Sequence, residues 1–196
     1  MMSNPAALPP DGAQAEPRLD PRIRRTRRDL RRGLEDLLQT EPFDQVTIRD
    51  IAAKSDVAYT TFFRHYLSKE ALLADMAQDA AARLLTASWP ELSARDPYAS
   101  CLALCRHVQD NRPVWVALLC GGADGAVRAA LIDETWKRSK DWPPVNDWLP
   151  QDIGTKLIIG VIVDLLAWWL SQTDVAPPER IAGILDKLLV SPLVRR

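Results

Sequence analysis

Apolar residues recur at helical intervals along most of the chain, and runs of strict alternation are scarce. From residue 22 to about 40, Ile23, Leu30, Leu34, Leu37 and Leu38 follow a 3.6-residue repeat, which predicts an amphipathic helix. Asp20-Pro21 supplies its start, a capping side chain followed by proline in the first turn, where no backbone N–H is needed. The segment TEPFDQV breaks it at Pro42. Thr47 then precedes IRDIAAKS, with Asp50 three residues on. This is a capping-box-like start to a short helix whose apolar side is Ile48, Ile51 and Ala52. Ser55 to Val57 form a connector, and AYTTFFRHY reads as the next helix. LSKEALLADMAQDAAARLLTASW follows as a long helix with Ser68 at its N-cap, ending before Pro90. Further helical segments are predicted at about 98–111, 113–119, 125–140, 151–172 and 178–190, broken mainly by GGADG and DWPPVNDWLP. The expected fold class is all-α.

Composition narrows the setting. The 196 residues are 47% hydrophobic, enough to fill a core in one ordinary domain or in a small module joined to a larger one. The opening MMSNPAALPPDGAQAEP lacks the apolar segment of a secretory signal and reads as a disordered leader, 1–19. The longest apolar run, LIIGVIVDLLAWWL, is too short to span a bilayer and carries Asp164, so no membrane partner is expected. Cys101, Cys105 and Cys120 make no disulfide framework, which points to a reducing cytoplasm.

The net charge of −1 conceals an asymmetry. From Arg22 to Lys69 eleven Lys or Arg stand against seven Asp or Glu, a balance of +4; from Glu70 onward thirteen stand against sixteen, a balance of −3. The front of the chain suits a polyanion and the remainder does not.

On a wheel of about 100° per residue, with Phe62 at 0°, Tyr66 falls near 40°, Tyr59 near 60° and Phe63 near 100°. These four aromatics are expected to dock the helix. Thr60, Thr61, Arg64 and His65 fall on the other side, open to water or a partner. A capped short helix, a three-residue connector and a second short helix behind a basic helix describe a helix-turn-helix. In that motif the second helix enters the major groove. Hydroxyls and an arginine suit base edges and phosphates there.

The stretch TIRDIAAKSDVAYTTFFRHYLSKEALL, Thr47 to Leu73, resembles the DNA-binding segment of TetR-type transcriptional regulators. Thr47, Ile51, Ala52, Val57, Thr61, His65, Lys69, Glu70 and Leu72 match that family's pattern position by position, and with the basic helix the resemblance covers about residues 22–76. It departs at Ser55-Asp56, where Ala-Gly is usual, at Ala58 for Ser, at Thr60 for Gly and at Phe63 for Tyr. The resemblance implies that Thr47 and Lys69 hold the DNA backbone, and that Tyr59, Thr60, Thr61, Phe63, Arg64 and His65 form the groove surface. Phe63 lacks the hydroxyl that often meets phosphate. It further implies a three-helix N-terminal DNA-binding domain, 20–68, followed by a helical-bundle domain, 69–196, for effector binding and dimerisation. The partners would be double-stranded operator DNA with palindromic half-sites, an unknown small-molecule effector, and a second copy of the chain. The expected function is a ligand-responsive regulator, acting as a repressor.

All seven tryptophans lie outside the DNA-binding segment. Core packing accounts for them simply; an aromatic-lined effector pocket is the sharper reading, with Trp115, Leu119, Trp136 and Trp168 as its wall. The last two long helices carry wide apolar surfaces and suit a four-helix dimer interface. Asp164, if buried, needs a partner: a basic group, the dimer mate or a ligand.

The rival reading is a small helical enzyme or ligand carrier with an incidental helix-turn-helix. No phosphate-binding glycine loop, G-x-S-x-G or H-E-x-x-H is present. Cys101, Cys105 and His107 lack the fourth ligand of a stable zinc site, so neither a metal nor a cofactor is expected.

Overall fold

The computed structural model describes residues 20–93, 96–139 and 148–190. The proposed leader, Arg18 and Trp142 lie outside the described residues, as does the side chain of Trp89. Among the described residues there is helix and no strand.

The N-terminal helix α1, Pro21–Leu38, starts as expected: the Asp20 carboxylate accepts the Arg22 N–H at 2.8 Å and Pro21 follows the cap. Helix α2, Ile48–Lys54, is short and capped by Thr47; α3, Tyr59–Phe62, is shorter still. The wheel extends α3 to Tyr66, whereas the backbone leaves the α-helix after Phe62 and proceeds by turns through His65. At its start Ala58 offers no side-chain acceptor, so a first-turn N–H goes without a cap. Helix α4, Lys69–Ser93, begins at Ser68, whose hydroxyl accepts the Ala71 N–H at 3.2 Å, and it continues through Pro90 rather than stopping before it.

Five more helices complete the bundle: α5, Pro97–Asp110; α6, Arg112–Cys120; α7, Asp124–Ser139; α8, Gln151–Ser171; and α9, Pro178–Leu185, which passes into a π-helical turn, Asp186–Val190. Helix α4 packs against α5 and α7, α6 and α7 against α8, and α5 against α9. Trp115 and Trp169 are the largest fully buried side chains, each worth roughly 3 kcal/mol by area. The Trp169 indole N–H donates to the Ala176 carbonyl at 2.8 Å, so its polar atom is satisfied. With 21 residues, α8 outruns its apolar core segment and is long and apolar enough to cross a membrane, contrary to the reading from that segment alone. Its inner residues Ile159, Val163, Leu166 and Leu170 are nevertheless buried in the protein's core.

Two of the contacts that join α1–α3 to the bundle lie on different sides of it. On one side Arg27 and Arg31 of α1 meet Asp75 and Asp79 of α4. On the other, Phe43 lies against Gly121 at the end of α6: a Cβ at Gly121 would sit 3.1 Å from the phenyl ring and 2.3 Å from the Ala117 carbonyl oxygen. Glycine is required there by close approach.

Candidate nucleic-acid interface

Local chemistry builds the turn. The Thr47 hydroxyl accepts the Asp50 N–H at 3.3 Å and donates to the Asp50 carboxylate at 2.5 Å, while the Thr47 N–H donates to the same carboxylate at 2.9 Å. These bonds hold the Asp50 carboxyl below its ordinary range, chiefly through the Thr47 hydroxyl. They also occupy Thr47's one hydroxyl proton, so Thr47 acts first as a cap and has no free donor for phosphate in this state.

At the other end of α2, Val57 N–H reaches the Ala52 carbonyl at 2.9 Å and Asp56 N–H the Ala53 carbonyl at 3.2 Å. This pair of bonds requires a left-handed residue, and Asp56 takes that place with φ 53°. The departure from the family's glycine is met as its side chain allows: Asp tolerates the left-handed region better than most residues.

The docking of α3 differs from the wheel. Phe62 and Tyr66 are buried at 0% and 4% exposure, but Tyr59 and Phe63 stand out at 45% and 43%. With the helix ending at Phe62, the two buried rings are enough to anchor it. Tyr59 and Phe63 then pack edge to face, centroids 5.3 Å apart, on the outer surface. Thr60 and Arg64 are exposed beside them, and Thr61 and His65 are half-buried. Of the expected groove residues, Tyr59, Thr60, Phe63 and Arg64 are therefore exposed and Thr61 and His65 half-buried, the two outer aromatics among them. Burial, then the charges of Arg27 and Arg64, hold the His65 imidazole below its usual pKa, so it offers a neutral ring.

Sequence reasoning missed Arg49, whose guanidinium lies 5.8 Å from the Tyr59 ring centroid and extends the basic surface onto α2. Its position on the polar side of α2, opposite Ile48 and Ile51, was the available signal.

Lys69 stands where the resemblance puts a phosphate contact, and the structure gives it other work. Its ammonium donates to the carbonyls of Phe43 at 2.8 Å, Asp44 at 3.2 Å and Val46 at 2.8 Å, and sits 4.6 Å from the Phe43 ring centroid. All three of its donors are engaged in closing the α1–α2 loop. Among the arginines of α1, Arg27 and Arg31 are likewise occupied by Asp75 and Asp79, while Arg22, Arg24, Arg25, Arg28 and Arg32 remain exposed.

The four expected effector-wall residues do not converge on the cleft that Trp115 lines. That cleft, about 260 Å³, includes Trp115 but none of the other three. Leu119 is in the core, Trp136 is half-buried on α7, and Trp168 is 52% exposed on the outer side of α8. Asp164 is not buried: its side chain is 73% exposed and accepts from Arg128 at 2.7 Å. Gly160 makes room for that arginine, since a Cβ there would lie 3.0 Å from the guanidinium. Cys101 and Cys105 are buried with their thiols pushed up to about 11 and about 12, mainly by burial, as core cysteines. Among the described residues no cluster of three or more candidate ligands for a metal occurs.

A capped helix, a left-handed turn and a docked second helix with a polar-aromatic outer face define a helix-turn-helix protein. Residues 32–76 match the family model described as bacterial regulatory proteins, tetR family. That segment of the chain therefore carries the family's helix-turn-helix. An HTH-type transcriptional regulator, YxbF of Bacillus subtilis (strain 168), is 31% identical over 110 residues, which cover 54% of this chain and 29% of that protein. The chain thus spans less than a third of that curated relative's length. Among solved structures, Thermus thermophilus FadR, a TetR-family repressor crystallised with lauroyl-CoA, superposes with a TM-score of 0.62 at 18% identity, over 87% of this chain and 96% of that one. A TetR transcriptional regulator from Rhodococcus sp. RHA1 gives 0.60 at 16% identity, over 87% and 98%. One from Streptococcus agalactiae 2603V gives 0.57 at 20%, over 86% and 95%. At these identities the superpositions establish the fold.

Proposed function

We propose that this chain is a DNA-binding transcriptional regulator, acting as a repressor, that binds a palindromic operator as a homodimer and responds to a small molecule. The observation that carries the reading is the outer face of α3 and the turn after it. Tyr59, Thr60, Phe63 and Arg64 are exposed together on an element anchored by Phe62 and Tyr66. A protein with no partner at this face would gain nothing by exposing two large rings there. Arg64 and Arg49 supply charge for phosphates or guanine edges, and the two threonines supply hydroxyl and methyl groups for the groove.

The division of labour places the reading head at 20–68 and the effector and dimer functions in 69–196. For the dimer, α8 presents Ile153, Leu157, Val161 and Trp168 on its outer side at 47%, 58%, 36% and 52% exposure. Leu157, Val161, Asp164 and Trp168 follow one another at spacings of four, three and four, the repeat of a helix–helix seam. A second copy covering that stripe, with α9 beside α8 in each, makes a four-helix interface and sets two heads on successive half-sites. DNA as the partner places the protein in the cytoplasm.

The test is fluorescence anisotropy with promoter DNA next to the chain's own gene, at a series of salt concentrations, against random DNA of equal length. A regulator prefers the promoter, and its affinity falls steeply with salt. Equal affinity for both DNAs would remove the reading and leave a helical enzyme or carrier.

A further inference from the structure

The cleft beside Trp115 has walls of opposite charge. It lies where α1 meets α4, α5 and α6, with a volume of about 260 Å³. Glu35 and Asp36 of α1 line one side; Arg83 of α4 and His107 of α5 line the other. The inner wall is Trp115, 1% exposed, against which the His107 ring stands edge-on at a centroid distance of 6.4 Å. Arg83 gives one N–H to Glu35 at 3.1 Å, and its side chain is otherwise 54% exposed. Four of its five donors are therefore open to another acceptor. Asp36 pairs with no described cation. Burial, and then Arg83, keep His107 from protonating near neutral pH, so the four polar groups carry two negative charges against one positive.

From this arrangement we infer that the cleft binds a small zwitterion with an apolar or aromatic side group, the chemistry of a free amino acid. Its ammonium enters between Glu35 and Asp36, its carboxylate takes donors of Arg83, and its side group lies toward Trp115. An isolated cation would leave the open Arg83 donors unanswered, and an isolated anion would meet two carboxylates. A zwitterion answers both walls and replaces the Glu35–Arg83 ion pair without stranding either charge. The two walls belong to different parts of the molecule, since α1 carries the reading head and α4 to α6 belong to the bundle. Binding there favours one head-to-bundle arrangement over another, which is the differential affinity an effector needs. That last step rests on the regulator reading; the binding itself does not.

L-phenylalanine is the probe, with phenethylamine and 3-phenylpropionate as its amine-only and acid-only halves. The readout is the Trp115 indole N–H resonance of DNA-free protein, assigned by its loss in Trp115→Phe. Phenylalanine moves it saturably, and each half binds at least about tenfold more weakly, the factor one lost charge contact gives. Asp36→Asn, which disturbs no ion pair of the fold, weakens phenylalanine severalfold while leaving thermal stability unchanged. Glu35→Gln and Arg83→Gln weaken it further. The proposal is overturned by either half matching phenylalanine, by undiminished binding in all three variants, or by no movement at about 10 mM, ten times a millimolar dissociation constant. The effector role is tested separately: saturating phenylalanine shifts operator affinity at least about fivefold, and an unchanged affinity with the cleft filled overturns that role alone. Because binding is read without DNA, a failed operator experiment and an empty cleft are distinct results.

Discussion

Tyr66 donates its phenolic hydroxyl to Asp75 at 2.5 Å, tying the end of the turn after α3 to α4. Arg31 reaches the same carboxylate at 3.0 Å and Arg27 at 3.5 Å, and Arg27 also donates to the Tyr66 oxygen at 3.2 Å. Asp75 is thus the hub through which α1, the turn and α4 are held together. Burial, with the Asp75 hydrogen bond next, raises the Tyr66 pKa and keeps the hydroxyl a donor at any physiological pH.

Asp75→Ala leaves two arginines and a hydroxyl facing one another without their acceptor. Its side chain is 25% exposed, so water softens the loss to roughly 2 kcal/mol, below that of a fully buried pair. Tyr66→Phe costs about 1 kcal/mol, and the double variant less than the sum, because both act on one bond. Urea unfolding at pH 7 gives all three numbers; additive losses refute the shared hub.

Lys69→Met separates the structural role from a phosphate contact. The loop carbonyls of Phe43, Asp44 and Val46 lose their shared donor, and stability falls by roughly 2 kcal/mol. The slope of log affinity against log salt stays unchanged, since no phosphate is released. A phosphate-holding Lys69 would reduce that slope by about one, as Arg64→Ala is expected to do if Arg64 meets phosphate. The salt series on both variants decides.

Gly33 lies where α1 crosses the turn after α2. A Cβ there would stand 2.1 Å from the Ser55 hydroxyl oxygen and 3.3 Å from the Ile51 carbonyl oxygen, and that hydroxyl already donates to the same carbonyl at 2.7 Å. Gly33→Ala therefore destabilises by about 1–3 kcal/mol through overpacking. Adding Ser55→Gly removes the obstructing side chain and recovers at least half of the loss. Thermal melts of the single and double variants test the contact, and an equal loss in both places the strain elsewhere.

The α8 stripe makes opposite predictions for neighbours. Leu157→Glu places charge on the seam proposed for a second copy, and sedimentation equilibrium should show monomer with unchanged helix content. Asp164→Leu replaces the one charge in that stripe and tightens association, because its Arg128 partner can turn to water from a position 33% exposed. A Leu157→Glu variant that remains dimeric assigns the interface to another surface.

Thiol reactivity reports the core. Burial pushes Cys101 up to about 11 and Cys105 up to about 12, and these two stay protonated at pH 8, while the exposed Cys120 reacts first. A chromogenic disulfide should titrate one thiol in native protein and three in denaturant. Because the raised thiols ionise first in the unfolded chain, their contribution to stability is complete below the ordinary thiol range of about 8.5 and declines as pH rises above it. Urea midpoints at pH 8 and pH 10 should differ in that direction.

What the chain determined by itself is what neighbours in sequence decide. Helical periodicity, the Thr47–Asp50 cap and the left-handed turn at Asp56 depend on bonds spanning three to five residues, so residue types at fixed spacing were sufficient to read the motif. The tertiary structure decided what each exposed group is free to do. Four aromatics at suitable angles looked like one buried face, yet only Phe62 and Tyr66 found a core, because α3 ends before the periodicity does. Lys69 is engaged by carbonyls 23 to 26 residues earlier, and Asp164 by an arginine 36 residues earlier. Such partners depend on where a loop or a neighbouring helix passes in space, a matter of packing that no local spacing encodes.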